Sequence, residues 1–107
     1  MRALAVKKSR PNDDLDSDRA TVLASVLRAL AHPLRLRLVA LLCAERTHVS
    51  ALAERLGVSQ AMVSQQLRIL RMSRLVEVSR ERGLAVYQLA EPRLRDLLHC
   101  MKGCSFE

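Results

Sequence analysis

The feature that most constrains this chain is a glycine set between two short runs of helical periodicity. Val49, Leu52, Ala53 and Leu56 recur at three- and four-residue spacing, which gathers them on one side of a helix. Gly57 follows, in the position where helices often close with positive φ. Ser59 stands just ahead of the second run, where its hydroxyl can accept from an unpaired first-turn N–H. In that run Val63, Leu67 and Leu70 stack on one side, and Gln60, Ser64, Gln65 and Arg68 point roughly the other way. A solvated helix face usually carries Glu and Lys, but this one carries Ser, Gln and Arg and no carboxylate. Such side chains donate to phosphate oxygens and read base edges, Gln pairing with adenine and Arg with guanine. The bland alternative is a surface helix that happens to lack acids. Two helices about a short glycine-containing turn, the second polar on one face, form a helix-turn-helix.

The rest of the chain is arranged around this pair. At 107 residues the length suits one domain, and with half the residues apolar but only 2% aromatic the core must be aliphatic. A domain this small buries a limited share of its surface, so dimerisation is an expected supplement. The net charge of +7 lies wholly beyond residue 18, because residues 1–18 balance four cations against four anions. A basic folded domain points to a polyanion, most often nucleic acid. No helix has the Lys-rich, Trp/Phe-bearing look of a membrane-surface binder, and no apolar run is long enough to span a bilayer. Without a secretory leader the chain is expected to be cytoplasmic, with its three cysteines reduced.

Residues 1–17 show no periodicity and are expected to form a flexible tail, leaving 18–107 as the folded domain. A first helix should start near residues 16–18, where Asp16 and Asp18 suit the positive end of the helix dipole. Val22, Leu23, Val26, Leu27 and Leu30 give it a broad apolar stripe. His32-Pro33 ends it and opens a second helix to about Ala44, since proline suits a first turn. In that helix Leu34, Leu38, Leu41 and Leu42 should face inward, and Arg35 and Arg37 outward. Thr47-His48 reads as a short connection. Beyond the helix-turn-helix, Val76, Val78, Leu84, Val86 and Leu89 mark two strands, with a turn over residues 79–83. Arg80 and Arg82 sit near the tip and, two apart, should share one side of the ribbon. Glu91-Pro92 then starts a last helix to about Lys102, with Leu94, Leu97, Leu98 and Met101 apolar and Gly103 ending it.

This order resembles the ArsR/SmtB family of bacterial winged-helix repressors. The matching residues are Ala29-Leu30-Ala31-His32-Pro33-Leu34-Arg35-Leu36-Arg37-Leu38, Leu52-Ala53-Glu54-Arg55-Leu56-Gly57-Val58-Ser59-Gln60, Val63-Ser64-Gln65-Gln66-Leu67 through Leu75-Val76, and Val86-Tyr87-Gln88-Leu89. The resemblance covers about residues 20–102. It implies a mainly α, dimeric winged helix-turn-helix with a small β-hairpin wing, paired through its first and last helices. It also implies an imperfect palindrome of operator DNA as partner and release by an inducer. By position Ser59, Gln60, Ser64, Gln65 and Arg68 would enter the major groove, and Arg80 and Arg82 would lie along the flanking backbone or minor groove. Two departures stand out. Gln66 replaces a common His, and Arg74 replaces a common Gly, whose backbone freedom it lacks.

The family's inducer sites are only partly present. Its Cys-Val-Cys metalloid pattern is replaced by His48-Val49-Ser50. Its Asp-x-His zinc pattern is replaced by Glu91-Pro92-Arg93, and Cys104 with Glu107 cannot complete four ligands. Cys43, Cys100 and Cys104 remain. Members that sense persulfide or oxidants pair a second-helix Cys with one near the end of the last helix, and this chain is similar in kind, with its second-helix Cys displaced by about one turn. Two readings stay open. Two thiols can oxidise to a disulfide or sulfur-bridged link, or all three can hold As(III) or another soft ion as thiolates. No resident cofactor is required in either. Cys43 alone can also be a small core residue.

Two rival classes carry less. An enzyme would need a nucleophile set, a phosphate loop or a thiol at a helix N-terminus, and none is legible. A constitutive, non-sensing DNA-binding protein would bind most duplexes alike, with a steep salt dependence.

Overall fold

The computed structural model describes residues 15–104. The expected tail therefore lies almost entirely outside the described residues. Five helices and one hairpin follow in the expected order: α1 Ser17–Leu30, α2 Pro33–Ala44, α3 Val49–Leu56, α4 Gln60–Met72, β1 Val76–Glu81, β2 Leu84–Leu89 and α5 Arg93–Lys102. This is a winged helix-turn-helix.

Local chemistry sets each helix start. The Asp16 carboxylate accepts from the Arg19 backbone N–H at 2.9 Å and caps α1. His32 caps α2 through Nδ1, which accepts from Leu34 N at 3.1 Å, with Pro33 in the first turn. His48 caps α3, and Ser59 caps α4 by accepting from Met62 N at 3.1 Å. Each cap supplies an acceptor to a first-turn N–H that has none within the helix. Two of the three histidines are thus explained by capping.

Two left-handed residues set the helix ends around α4. Gly57 has φ 70, and the N–H groups of Gly57 and Val58 both reach the Ala53 carbonyl. After α4, Arg74 takes φ 62, with Arg74 N donating to Arg71 O and Leu75 N to Leu70 O. That is the Schellman closure, and it puts arginine where glycine is usual. The strain expected at this position is present.

The core is aliphatic throughout. Leu38, Val39, Leu42, Leu52, Val63, Leu67 and Leu70 are all but inaccessible, and among the described residues no polar side chain is buried. Val63, Leu67 and Leu70 come from the apolar face of α4 and pack against α2 and α3. The hairpin is antiparallel, Val76 opposite Leu89 and Glu81 opposite Leu84, and Val76 and Leu89 join the core. Thr47 is more than a connection. Its N–H and carbonyl both bond to Tyr87, at 3.0 and 2.7 Å, and add a third strand position to the edge of β2. Arg46 and Glu81 form an ion pair at 2.6 Å on the same side.

Three expectations need correction. Arg35 does not face out: it is half-buried, its Nε donating to the Ala29 carbonyl and its Nη1 to Gln66 Oε1 at 2.8 Å. The proline that opens α2 explains this. Ala29 O would accept from the N–H four residues on, but residue 33 has none. Secondly, the hairpin turn is only Arg82-Gly83, both with positive φ, 55 and 81. Arg80 is then a strand residue and Arg82 a turn residue, so strand alternation does not place them on one side. Thirdly, Val39 belongs to the buried set of α2, while Leu34 and Leu41 lie at its edge.

Gly57→Ala should lower unfolding stability by about 1–2 kcal/mol, all of it from the backbone, because a Cβ there meets nothing within 4 Å. Arg74→Gly should act in the opposite sense, raising stability by about 0.5–1 kcal/mol after the entropy cost of glycine. Denaturant titration of the two variants checks both signs.

Candidate functional site

The outward face of α4 follows from its inward one. Holding Val63, Leu67 and Leu70 inside turns Gln60, Ala61, Ser64, Gln65, Arg68 and Arg71 to solvent. At about 100° per residue, Ala61, Gln65, Arg68 and Met72 fall closest to the line opposite the core. Ala61, Arg71 and Met72 are the members that sequence reasoning misses, although the i, i+4, i+7 spacing from Ala61 through Gln65 to Arg68 is a signal for the first of them. Ser59 has its oxygen engaged as the cap, leaving its proton free to donate. Gln66 is half-buried and its oxygen is held by Arg35, so it stands apart from this face.

No carboxylate interrupts the face. Of the acids on the neighbouring strand, Glu77 accepts from the Gln88 amide at 2.6 Å and keeps its charge, and Glu81 is paired with Arg46. Arg68 and Arg71 share a groove with β1, lined by Met72, Val76, Glu77 and Val78. Arg80 and Arg82 are exposed at the tip of the hairpin, Arg80 donating to the Gly83 carbonyl at 3.0 Å. The arrangement offers amide and guanidinium donors on a helix and further guanidinium groups on a ribbon beside it. That set suits phosphates and base edges.

A second surface is apolar. On α1, Val22 is 62% and Leu27 57% exposed, and Leu23 is open as well. On α5, Leu97 and Met101 are exposed. A groove of about 730 Å³ between these helices has Val22, Leu23, Val26, Leu75, Leu94 and Leu97 among its lining, together with charged side chains such as Asp18, Arg19 and Arg74. Contiguous apolar surface of this kind on a small domain marks an interaction site.

The cysteines split into two environments. Cys43 is half-buried and faces α5, in a cavity of about 330 Å³ lined by Ala40, Arg95, Asp96, Leu98, His99 and Lys102. Burial pushes its thiol up from the ordinary range, opposed by the charges of Arg95 and Lys102. Cys100 and Cys104 are exposed at the end of α5, and Cys104 Sγ lies 3.5 Å from the Cys100 carbonyl. Among the described residues no three His, Cys, Asp or Glu side chains come together as a metal-ligand group. One chain therefore does not gather the three sulfurs into a single site, because Cys43 lies under α5 and the other two at its open end. At the start of α5, both Glu91 oxygens accept from Arg93, at 2.7 and 2.8 Å, which holds that carboxyl down at about 2. Among the described residues, no helix is long and apolar enough to cross a membrane.

Comparison with known proteins matches residues 32–78 to the family described as "Bacterial regulatory protein, arsR family". The chain is 41% identical over 91 residues to the HTH-type transcriptional regulator NmtR of Mycobacterium tuberculosis, covering 85% of this chain and 76% of that protein. It is 36% identical over 83 residues to the Biofilm growth-associated repressor of Xylella fastidiosa, covering 78% and 73%. The homodimeric winged helix-turn-helix DNA-binding domain Mb0332 from Mycobacterium bovis superposes with a TM-score of 0.72 at 27% identity, covering 92% of this chain and 90% of that one.

The thiol environments predict an order of reactivity. At neutral pH iodoacetamide should label Cys100 and Cys104 well before Cys43, since the thiolate is the nucleophile and burial disfavours it. Peptide mass spectrometry over a time course reads the order, and equal labelling of all three would contradict it.

Proposed function

The chain belongs to the ArsR family of bacterial regulatory proteins, and we propose that it acts as a dimeric repressor. It would hold an imperfectly palindromic operator and let go when an inducer reacts at its cysteine thiols. The observation that carries the DNA-binding part is the outward face of α4, free of acids and flanked by Arg80 and Arg82 on the hairpin. The observation that supports pairing is the open apolar face of α1 and α5, which a second copy would cover. A twofold axis through those helices presents two α4 faces to one side of a duplex, the geometry an inverted repeat requires.

In this reading Ser59, Gln60, Ser64, Gln65 and Arg68 enter the major groove, with Ala61 against them as an apolar contact for a thymine methyl. Arg80 and Arg82 meet the flanking backbone or minor groove. Phosphate contacts supply affinity and are salt-dependent; the glutamines and Arg68 supply discrimination.

Thiol chemistry is the inducer reading the cysteines support best. Cys100 is exposed in the last turn of α5 and Cys104 just beyond its end, and the third faces that helix from α2. A peroxide or polysulfide takes two electrons from two thiols, which lose their protons and join as a disulfide or through added sulfur. Such a link at α5 alters the helix on which pairing depends.

Gln65→Ala should weaken operator binding by about 1–3 kcal/mol and change binding to scrambled duplex much less, read by competition at fixed salt. Cys100→Ser and Cys104→Ser should bind operator normally but fail to release it on exposure to polysulfide or peroxide. Full release from both would refute the thiol switch. Mass spectrometry names the inducer class: added sulfur or lost hydrogens fit a redox signal. Bound arsenic with three protons displaced would move the assignment to As(III).

A further inference from the structure

We propose that Arg35 is a positioning residue for DNA recognition, acting through Gln66 to set the rotation of α4 about its own axis. The inference rests on the DNA-binding reading above. Three observations carry it. Arg35 is half-buried at the start of α2, where an arginine side chain could equally have reached solvent. Its Nε donates to the Ala29 carbonyl at the end of α1, the acceptor that Pro33 leaves without a backbone partner. Its Nη1 donates to Gln66 Oε1 at 2.8 Å, and a guanidinium can only donate, so this fixes which end of the amide faces it. One planar fork thus joins the end of α1 to the middle of α4.

The remaining hold on α4 is apolar. Val63, Leu67 and Leu70 resist withdrawal of the helix, but aliphatic contacts are non-directional and resist rotation less well. Gln65 is the next residue in the chain after Ser64 and immediately precedes Gln66, so a small rotation at Gln66 swings the amide of Gln65 across the base edges. Bidentate hydrogen bonds to bases demand that alignment; phosphate contacts do not. Arg35 accordingly governs specificity without touching DNA, and Gln66, though on the same helix as the readers, serves as its handle.

The test compares Kd for operator and for scrambled duplex, at one salt concentration, in wild type, Gln66→Ala, Gln66→Glu and Arg35→Lys. Gln66→Ala removes the acceptor and should cut the operator-to-scrambled preference about tenfold, the size of one poorly read base pair. Its binding to scrambled duplex should change less than about twofold, as fits phosphate contacts left in place. Gln66→Glu keeps the acceptor; it should bind both duplexes somewhat more weakly but preserve the preference. Lysine lacks the fork, so Arg35→Lys should lose preference as Gln66→Ala does. A merely structural role would lower thermal stability without separating Ala from Glu at position 66. An unchanged preference in Gln66→Ala, or equal loss in Gln66→Ala and Gln66→Glu, overturns the proposal while leaving the DNA-binding reading intact. A wild type with no operator preference sinks that reading itself.

Discussion

Everything outward in this domain depends on how α4 is seated from within. Three side chains, Val63, Leu67 and Leu70, are fully withdrawn from water against Leu38, Leu42 and Leu52. Burying aliphatic side chains of this size is worth roughly 1.5–3 kcal/mol each. Among the described residues no polar side chain is buried, so close packing of leucine and valine holds the helix in, and the half-buried Arg35–Gln66 hydrogen bond adds a directional tie. With those three residues inside, Gln65 and Arg68 lie on the outward side of the helix.

The same small core cannot cover the whole chain. α1 buries only Ala29 and Leu30, and α5 only Leu94. Val22, Leu23 and Leu27 of α1 and Leu97 and Met101 of α5 lie open, an arrangement that costs solubility unless something covers it. A second copy would solve two problems together: it hides the apolar faces and doubles the number of helices offered to DNA. The hairpin is stabilised differently. Two strands alone are marginal, and here the Thr47–Tyr87 bridge and the Arg46–Glu81 pair tie them to the connection between α2 and α3. The exposed ion pair contributes little energy. Its value is to occupy Glu81, which would otherwise present an acid beside Arg80 and Arg82.

Much of this is legible in the sequence because the signals are local. Gly57 and Ser59 announce a helix end and a helix start within four residues, and both do what their chemistry suggests. The leucine spacing of α4 identifies its buried face without reference to anything else. What escapes is tertiary. An arginine in a first turn reads as solvent-facing unless one notices that Pro33 strips Ala29 of its donor and that Gln66 lies across from it. The hairpin turn reads too wide, because Arg82 adopts a left-handed conformation that sequence alone would assign to Gly83 only. Cys43 can be placed on α2, but its facing α5, beside Arg95 and Lys102, depends on how the two helices pack.

The central claim is that two copies of this chain address one duplex through their α4 faces. Enrichment of a random duplex pool on the purified protein, followed by sequencing of the retained DNA, tests it with no operator sequence assumed. The expected result is an inverted repeat whose two halves are centred about one helical turn apart. Retained DNA with no shared sequence, or with a single unpaired half-site, would contradict it.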